Sequence, residues 1–289
     1  MLTATELREL RRVHIRAGRV VDALFAGDYR SAVRGRGMEF EEVRAYVPGD
    51  DVRYIDWKVT ARANAPYVKV FREERQLTVL LAVDVSGSTR VGSGGRDGGT
   101  DRRLQMARVA GGLAWAGARN RDQVGLLTFT DRAESWLPPR KTRGHVWAML
   151  QEVYAPHAGG RGTDLSEALH FLGKVQRRRA VVVLVSDFLD GGPWERVLGP
   201  MIRRHTVHAV VVHDPLDEGL AALGGLVEVV DAETGRARLV DARTWRGRAP
   251  VAARVERLRR LGARTLALST EEDPFVALQR HFHAQGARR

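Results

Sequence analysis

Cysteine is absent from this 289-residue chain, so neither a disulfide nor a thiolate metal site can form, and the composition fits a reducing compartment. Lysine is nearly as scarce: of the 47 basic residues four are lysines, at 58, 69, 141 and 174, and 43 are arginines. Long apolar runs are missing too. The longest, around residues 180–185, is strand-sized and far short of the roughly 18 residues that span a bilayer. The opening residues, Met1-Leu2-Thr3-Ala4-Thr5-Glu6, lack the basic and apolar stretches of a secretory signal. Nine histidines are dispersed without metal-ligand spacing, and His281-x-His283 reads as the end of a fraying terminal helix. These absences make a cytoplasmic protein the expectation, with peripheral membrane association left open.

What is present suits one large α/β domain, or one domain with an added segment. A hydrophobic content of 44% supplies a sizeable core. The net charge of +12 comes from arginines spread along the chain, mostly near Asp or Glu, and the clusters Arg177-Arg178-Arg179 and Arg257-x-Arg259-Arg260 read as solvated faces. A basic surface favours polyanions electrostatically, but no nucleic-acid-binding motif accompanies it, so nucleic acid is not the expected partner.

The chain is organised around Leu77-Thr78-Val79-Leu80-Leu81-Ala82-Val83-Asp84-Val85-Ser86-Gly87-Ser88. Its β-branched and leucine run has no helical period, the pattern of a strand buried on both faces of a parallel sheet. It ends in Asp84-x-Ser86-x-Ser88. In extended chain these three side chains project to one side and can converge. Strand carboxyl ends are where sites form in open α/β sheets. A carboxylate with two hydroxyls suits a hard, oxygen-seeking cation such as Mg²⁺. The same residues also favour an ordinary Asx or Ser turn.

Before this strand, Thr3-x-x-Glu6 is a capping box, and apolar residues at Leu7, Leu10, Val13, Ala17, Val20, Val21 and Leu24 predict a basic amphipathic helix docked on the domain, ending near Gly27 with Phe25 its one aromatic. Residues 39–75 read as an irregular segment turned at Pro48-Gly49-Asp50, in which Glu39, Asp50, Asp51 and Asp56 alternate with Arg44, Arg53 and Arg62 as an ion-pair lattice. After it, a glycine-rich loop over 90–100 precedes a helix over 102–119, a strand over 123–129, a short edge strand ended by Pro138-Pro139, and helices over 144–153 and 165–175. The glycine loop over 158–162 presents Thr163 and Asp164 to the latter helix as alternative N-caps; if Asp164 takes the cap, Thr163 is released to face a metal. The apolar strand over 180–186 ends at Asp187. A helix over 194–204, a strand over 207–212, a hairpin over 227–241, a helix over 249–261, a strand over 264–268 and a helix over 274–285 follow. Alternation on this scale predicts a doubly wound, mainly parallel sheet.

Three features lie in order: Asp84-x-Ser86-x-Ser88, Thr163 and Asp187. Together they resemble the metal-ion-dependent adhesion site (MIDAS) of von Willebrand factor type A domains. Gly35-Arg36-Gly37-Met38-Glu39-Phe40, Arg44-x-Tyr46, Gly49-Asp50-Asp51-x-Arg53-x-Ile55-Asp56-Trp57, Ala61-Arg62, Ser186-Asp187-Phe188 and Asp214-Pro215 resemble the signature of the bacterial Domain of Unknown Function 58 family. The resemblance implies a von Willebrand factor A-like α/β domain over 77–289, with a family-specific helical and irregular segment over 1–76 packed on it. It further implies hydroxyl ligation of Mg²⁺ (or Mn²⁺/Ca²⁺) by Ser86, Ser88 and Thr163, with Asp84 and Asp187 acting directly or through water. The implied role is a non-enzymatic interaction module. A partner's Asp or Glu completes the cation's shell, and a MoxR-type AAA+ ATPase is the implied co-worker in complex assembly or chaperone-like activity. Thr89 departs from the family pattern, standing where many relatives have methionine. Two alternatives remain at this level: a metal-dependent hydrolase, for which the sequence offers no nucleophile paired with a base, and polyanion binding through the arginine-rich surface.

Overall fold

The computed structural model describes residues 4–24, 38–73, 77–90, 101–155, 162–220, 224–230, 236–245 and 250–286. Thr3, Phe25, the Gly35-Arg36-Gly37 motif, the glycine tract after Arg90, the glycine loop before Gly162 and the 231–235 turn lie outside these residues. The chain divides into two compact units, Met1–Val33 with Thr78–Arg289, and Arg34–Leu77. The opening helix thus belongs with the larger unit, whereas the sequence grouped it with the segment up to residue 76.

The larger unit is built on a six-stranded sheet. Its strands are β3 (Thr78–Asp84), β4 (Gln123–Phe129), β5 (Ala133–Arg140), β6 (Val181–Ser186), β7 (Thr206–His213) and β10 (Arg264–Ser269), in the order β10-β7-β6-β3-β4-β5. All pairings are parallel except that of β5 with β4. Strand β3 sits where the order reverses, with β4 on one side and β6 on the other, and such switch points open a crevice at the carboxyl ends. Its apolar run is buried throughout because both faces are covered. On one face Leu80, Ala82, Leu127, Phe129, Val182, Leu184, Ala209 and Val211 pack against helices α5 (Leu165–Val175), α6 (Glu195–Arg204) and α7 (Val251–Arg260). The other face carries α3 (Arg102–Arg119), α4 (Arg143–Tyr154) and α8 (Pro274–Gly286), with α1 (Ala4–Leu24) laid across all three. Gly111 lets α4 approach α3: a Cβ there would stand 2.9 Å from the Leu150 side chain.

Two expectations are corrected here. Edge strand β5 continues through Pro138 and Pro139 instead of ending at them, with register shifts against β4. An edge strand needs donors on one side only, so proline is tolerated there. His281, read as part of a fraying end, is buried on α8 and its Nε2 lies 3.0 Å from Nδ1 of the buried His208 on β7. The surface hairpin forms as expected, from β8 (Leu226–Val230) and β9 (Ala237–Asp241).

The smaller unit is more ordered than the irregular segment expected. Strands β1 (Met38–Ala45) and β2 (Tyr67–Glu73) pair antiparallel, with a register shift between Phe40 and Glu42. Between them Pro48-Gly49-Asp50 makes the turn, Gly49 taking φ +111°, and helix α2 (Trp57–Ala63) is capped by the Asp56 carboxylate and ended by Asn64 in the left-handed region. The charges do form a lattice. Arg44 clasps Asp50 with both terminal nitrogens at 2.8 and 2.7 Å, Arg53 pairs with Asp51, and Lys69 reaches Asp56 at 3.4 Å. Two strands separated by a turn, a cap and a helix, and studded with charge, carry little of the period-2 signal that marks a sheet.

Candidate metal centre

Strand β3 delivers Asp84 fully buried to the crevice, and its carboxylate is held from two sides. Oδ1 accepts the Ser86 backbone N–H at 2.9 Å, and Oδ2 accepts the Ser186 hydroxyl at 2.8 Å from the end of β6. The chain does not stay extended through the three oxygen-bearing residues. It curls into a 3-10 turn at Gly87–Arg90, with the Thr89 hydroxyl donating to the Ser86 carbonyl at 2.7 Å, and this brings the Ser86 and Ser88 hydroxyls within 3.1 Å of each other.

Asp187 follows β6, whose Val185 stands beside Val83 of β3, so the two carboxylates face one crevice. Burial and the neighbouring Asp187 charge raise the Asp84 carboxyl to about 6. Burial also raises Asp187. Its Oδ1 accepts the Leu189 N–H at 3.0 Å, while its buried Oδ2 has no hydrogen-bond partner among the described residues. An orphaned buried carboxylate oxygen is costly unless something else compensates it. Phe188, the next residue, is buried with φ +54°, a left-handed conformation that is an outlier for a bulky side chain and costs roughly 1–3 kcal/mol. The strained backbone fixes the direction of Asp187 at its amino side, with the Phe188 N–H held by the Ser186 hydroxyl at 3.0 Å.

The segment that carries Thr163 is tied to the strand ends through its neighbours. Asp164 donates its N–H to the Thr130 carbonyl, one residue past β4, and Leu165 donates to the Asp190 carboxylate after β6. Asp164 itself caps α5, accepting from Ser166 and Glu167 at 2.8 and 3.1 Å, so the cap makes no demand on the half-buried Thr163. Among the described residues, no hydrogen bond joins the Thr163 hydroxyl to the other four.

The sequence gives no sign of the cationic wall behind the rim. Arg102 donates to the Ser88 carbonyl at 3.0 Å and to Asp217; Arg254 of α7 donates to the Asp187 carbonyl and also to Asp217, at 3.4 Å. Arg103 donates to the Val85 and Ser86 carbonyls and to the Thr89 hydroxyl, and burial lowers it to about 10. All three arginines are buried. Two of them open α3, where the helix dipole disfavours cations, so the carbonyls and carboxylates of the rim are what hold them. Asp217 is positioned by the 3-10 turn Pro215–Asp217, whose reciprocal capping box with Asp214 was readable as Asp-Pro-x-Asp. His213, the last residue of β7, is lowered by burial and then by Arg254. Arginines on a helix look like surface residues in sequence, and only burial reveals them.

Among the described residues no group of three or more His, Asp or Glu side chains is placed to hold a metal. What converges is two carboxylates with hydroxyls, an all-oxygen set of low negative charge that suits a hard divalent cation. The Asp187 Oδ2, without a hydrogen bond among the described residues, fits that use, and the nearby Arg102 and Arg254 charges favour its ionised form.

Fold and rim define an α/β protein with an oxygen-lined crevice at its strand ends. The model of the family described as "Protein of unknown function DUF58" matches residues 42–260. The chain belongs to the DUF58 family. It is 34% identical to "Uncharacterized protein Rv1480" of Mycobacterium tuberculosis over 275 residues, covering 91% of this chain and 84% of the relative. A second relative, "Uncharacterized protein Mb1516" of Mycobacterium bovis, matches to the same extent. Among solved structures, an aerotolerance-related membrane protein from Bacteroides fragilis superposes with a TM-score of 0.50 at 14% identity, over 74% of this chain and all of that one. The conserved hypothetical protein BatB from Bacteroides thetaiotaomicron gives a TM-score of 0.48 at 14% identity over the same shares. At that identity the Bacteroides fragilis likeness is one of fold. No helix among the described residues is long and apolar enough to cross a membrane.

Proposed function

We propose that the chain is a von Willebrand factor A-like interaction module whose rim binds a divalent cation, Mg²⁺ or, failing it, Mn²⁺ or Ca²⁺. The observation that carries this reading is the buried Oδ2 of Asp187, without a hydrogen bond among the described residues, close enough to Asp84 for its charge to raise that carboxyl. Ser86, Ser88 and Thr163 supply neutral oxygens. Asp84, both of whose oxygens are already engaged, acts through water, and Asp187 acts directly or through water. With so few anionic ligands the cation stays electron-poor and retains an exchangeable position for a partner's Asp or Glu. The module is read as non-enzymatic: its work is metal-dependent docking, with a MoxR-type AAA+ ATPase as partner in complex assembly or chaperone-like activity.

The test is calorimetric titration of this chain with the MoxR-type ATPase of the same organism, in Mg²⁺ and in EDTA, with Asp84→Ala and Asp187→Ala in parallel. The expected result is binding in Mg²⁺ alone, lost in both variants. Equal affinity in all four conditions overturns the reading.

A further inference from the structure

Helix α1 commits one face to the domain and turns a nearly all-arginine face outward. Leu10, Val13 and Ala17 are buried, and Glu9 points inward to accept the Tyr154 hydroxyl at 3.2 Å. Arg16 ties the helix down through Asp273 at 2.5 Å. Outward stand Arg8, Arg11, Arg12 and Arg19, all exposed, with Ile15 among them at 55% exposure. At 3.6 residues per turn these side chains and Arg16 share an arc of about 140°. On this helix Glu6 and Glu9 lie off that arc on partly buried positions, while Asp22, in the last turn, falls on it by the same spacing.

We propose that this face docks on an anionic phospholipid surface, with the guanidinium groups on headgroup phosphates and Ile15 reaching the acyl boundary. Guanidinium forks match phosphate oxygens bidentately, which a lysine cannot do. Nucleic acid offers phosphates too, but the stripe holds no aromatic side chain on which bases could stack, and a protruding isoleucine has nothing to meet on a sugar-phosphate backbone. At a bilayer it meets hydrocarbon. Because the apolar face of α1 is already taken by the domain, the helix adsorbs at the headgroup level with only Ile15 reaching deeper, so binding is reversible and screened by salt. This surface is separate from the strand-end rim and does not depend on its cation.

Co-sedimentation of the full chain with phosphatidylcholine vesicles, with and without about 30% phosphatidylserine, tests it. Binding is expected to the anionic vesicles only, steeply weakened by salt and indifferent to EDTA. Each arginine strengthens adsorption roughly fivefold, so Arg11→Ala/Arg12→Ala/Arg19→Ala weakens it about a hundredfold. The exposed Arg177→Ala/Arg178→Ala/Arg179→Ala triple removes equal charge elsewhere and leaves binding intact. Unaltered binding by the α1 triple, or an equal loss in the control triple, overturns the proposal. So does capture of duplex DNA or RNA through the same arginines without vesicle binding. Melting curves of both triples establish that folding is unchanged, and a glutamine triple at 11, 12 and 19 repeats the reading should the alanine triple melt early.

Discussion

Arginine and aspartate are paired in two regions of this molecule, and the two settings differ in nearly every physical respect. Behind the rim, Asp217 sits between Arg102 and Arg254 with all three side chains under a tenth exposed. In the smaller unit, Arg44 clasps Asp50 with better geometry, two short bonds from one fork, yet its side chain is 42% exposed. Water screens the second pair and competes for its hydrogen bonds, so a close bidentate contact there adds little. The first cluster has exchanged water for protein on every side, and each member depends on the others. Geometry alone therefore misranks the two; burial decides.

The sharpest way to test that contrast is Asp217→Asn, which leaves two buried guanidinium groups uncompensated and is expected to cost about 3–5 kcal/mol in denaturant unfolding. A loss as small as that of a surface pair would erase the distinction. Asp187→Ala comes next. It is expected to weaken Mg²⁺ or Mn²⁺ binding at least about tenfold by calorimetry, while raising the melting temperature of the metal-free protein by relieving its repulsion with Asp84. A metal-free melt that falls instead would mean that the Leu189 bond and the Arg102 and Arg254 charges outweigh that repulsion.

A smaller effect follows from acidity. Burial and the Asp187 charge hold Asp84 at about 6 in the folded protein, above its ordinary value of 3.8. The folded metal-free state therefore binds its proton more tightly than the unfolded chain, and stability from this group is full below the ordinary value and lost as pH rises through about 6. Cation binding needs the carboxylate and runs the other way. Metal-induced stabilisation in thermal melts should grow between about pH 5 and about pH 8, and a flat profile would contradict it. Smallest of all is Asp50→Ala in the smaller unit. Its melting shift should be minor beside that of Asp217→Asn and should vanish at high salt, because Arg44 keeps its water.

How much of this could be read beforehand depends on what a residue's neighbours in sequence reveal. The buried run of β3, the boundaries of α3, β4 and α5, and a cap at Thr163 or Asp164 were legible because apolar periodicity and caps are local signals; the structure chose Asp164. The ladder of β1 and β2 was not. Its partners lie on either side of a turn and a helix, and their charged residues mask the alternation. At the site, Asp84, Ser86, Ser88 and Asp187 stood out as oxygen-bearing residues at strand ends, and Thr163 as the residue before a capped helix. The extended geometry expected for Ser88 was wrong in detail, since Thr89 bonds back to Ser86 and curls the chain. Ser186, Arg102, Arg103, Asp217 and Arg254 went unseen. A serine within an apolar strand and arginines on helices look ordinary until the fold buries them.

By itself, then, the sequence determined which segments of the larger unit become strands and helices, that its sheet is mainly parallel, and that Asp84, Ser86 and Asp187 stand at its strand ends. Those properties follow from hydrophobic periodicity and from the alternation of elements, which short stretches encode. Tertiary structure decided which of the many arginines and aspartates are withdrawn from water, that Asp187 keeps an oxygen without a partner, and that α1 turns its arginines outward. The physical reason is that charge acquires its energetic weight from the dielectric around it, and that surrounding is assembled from residues far apart in the chain.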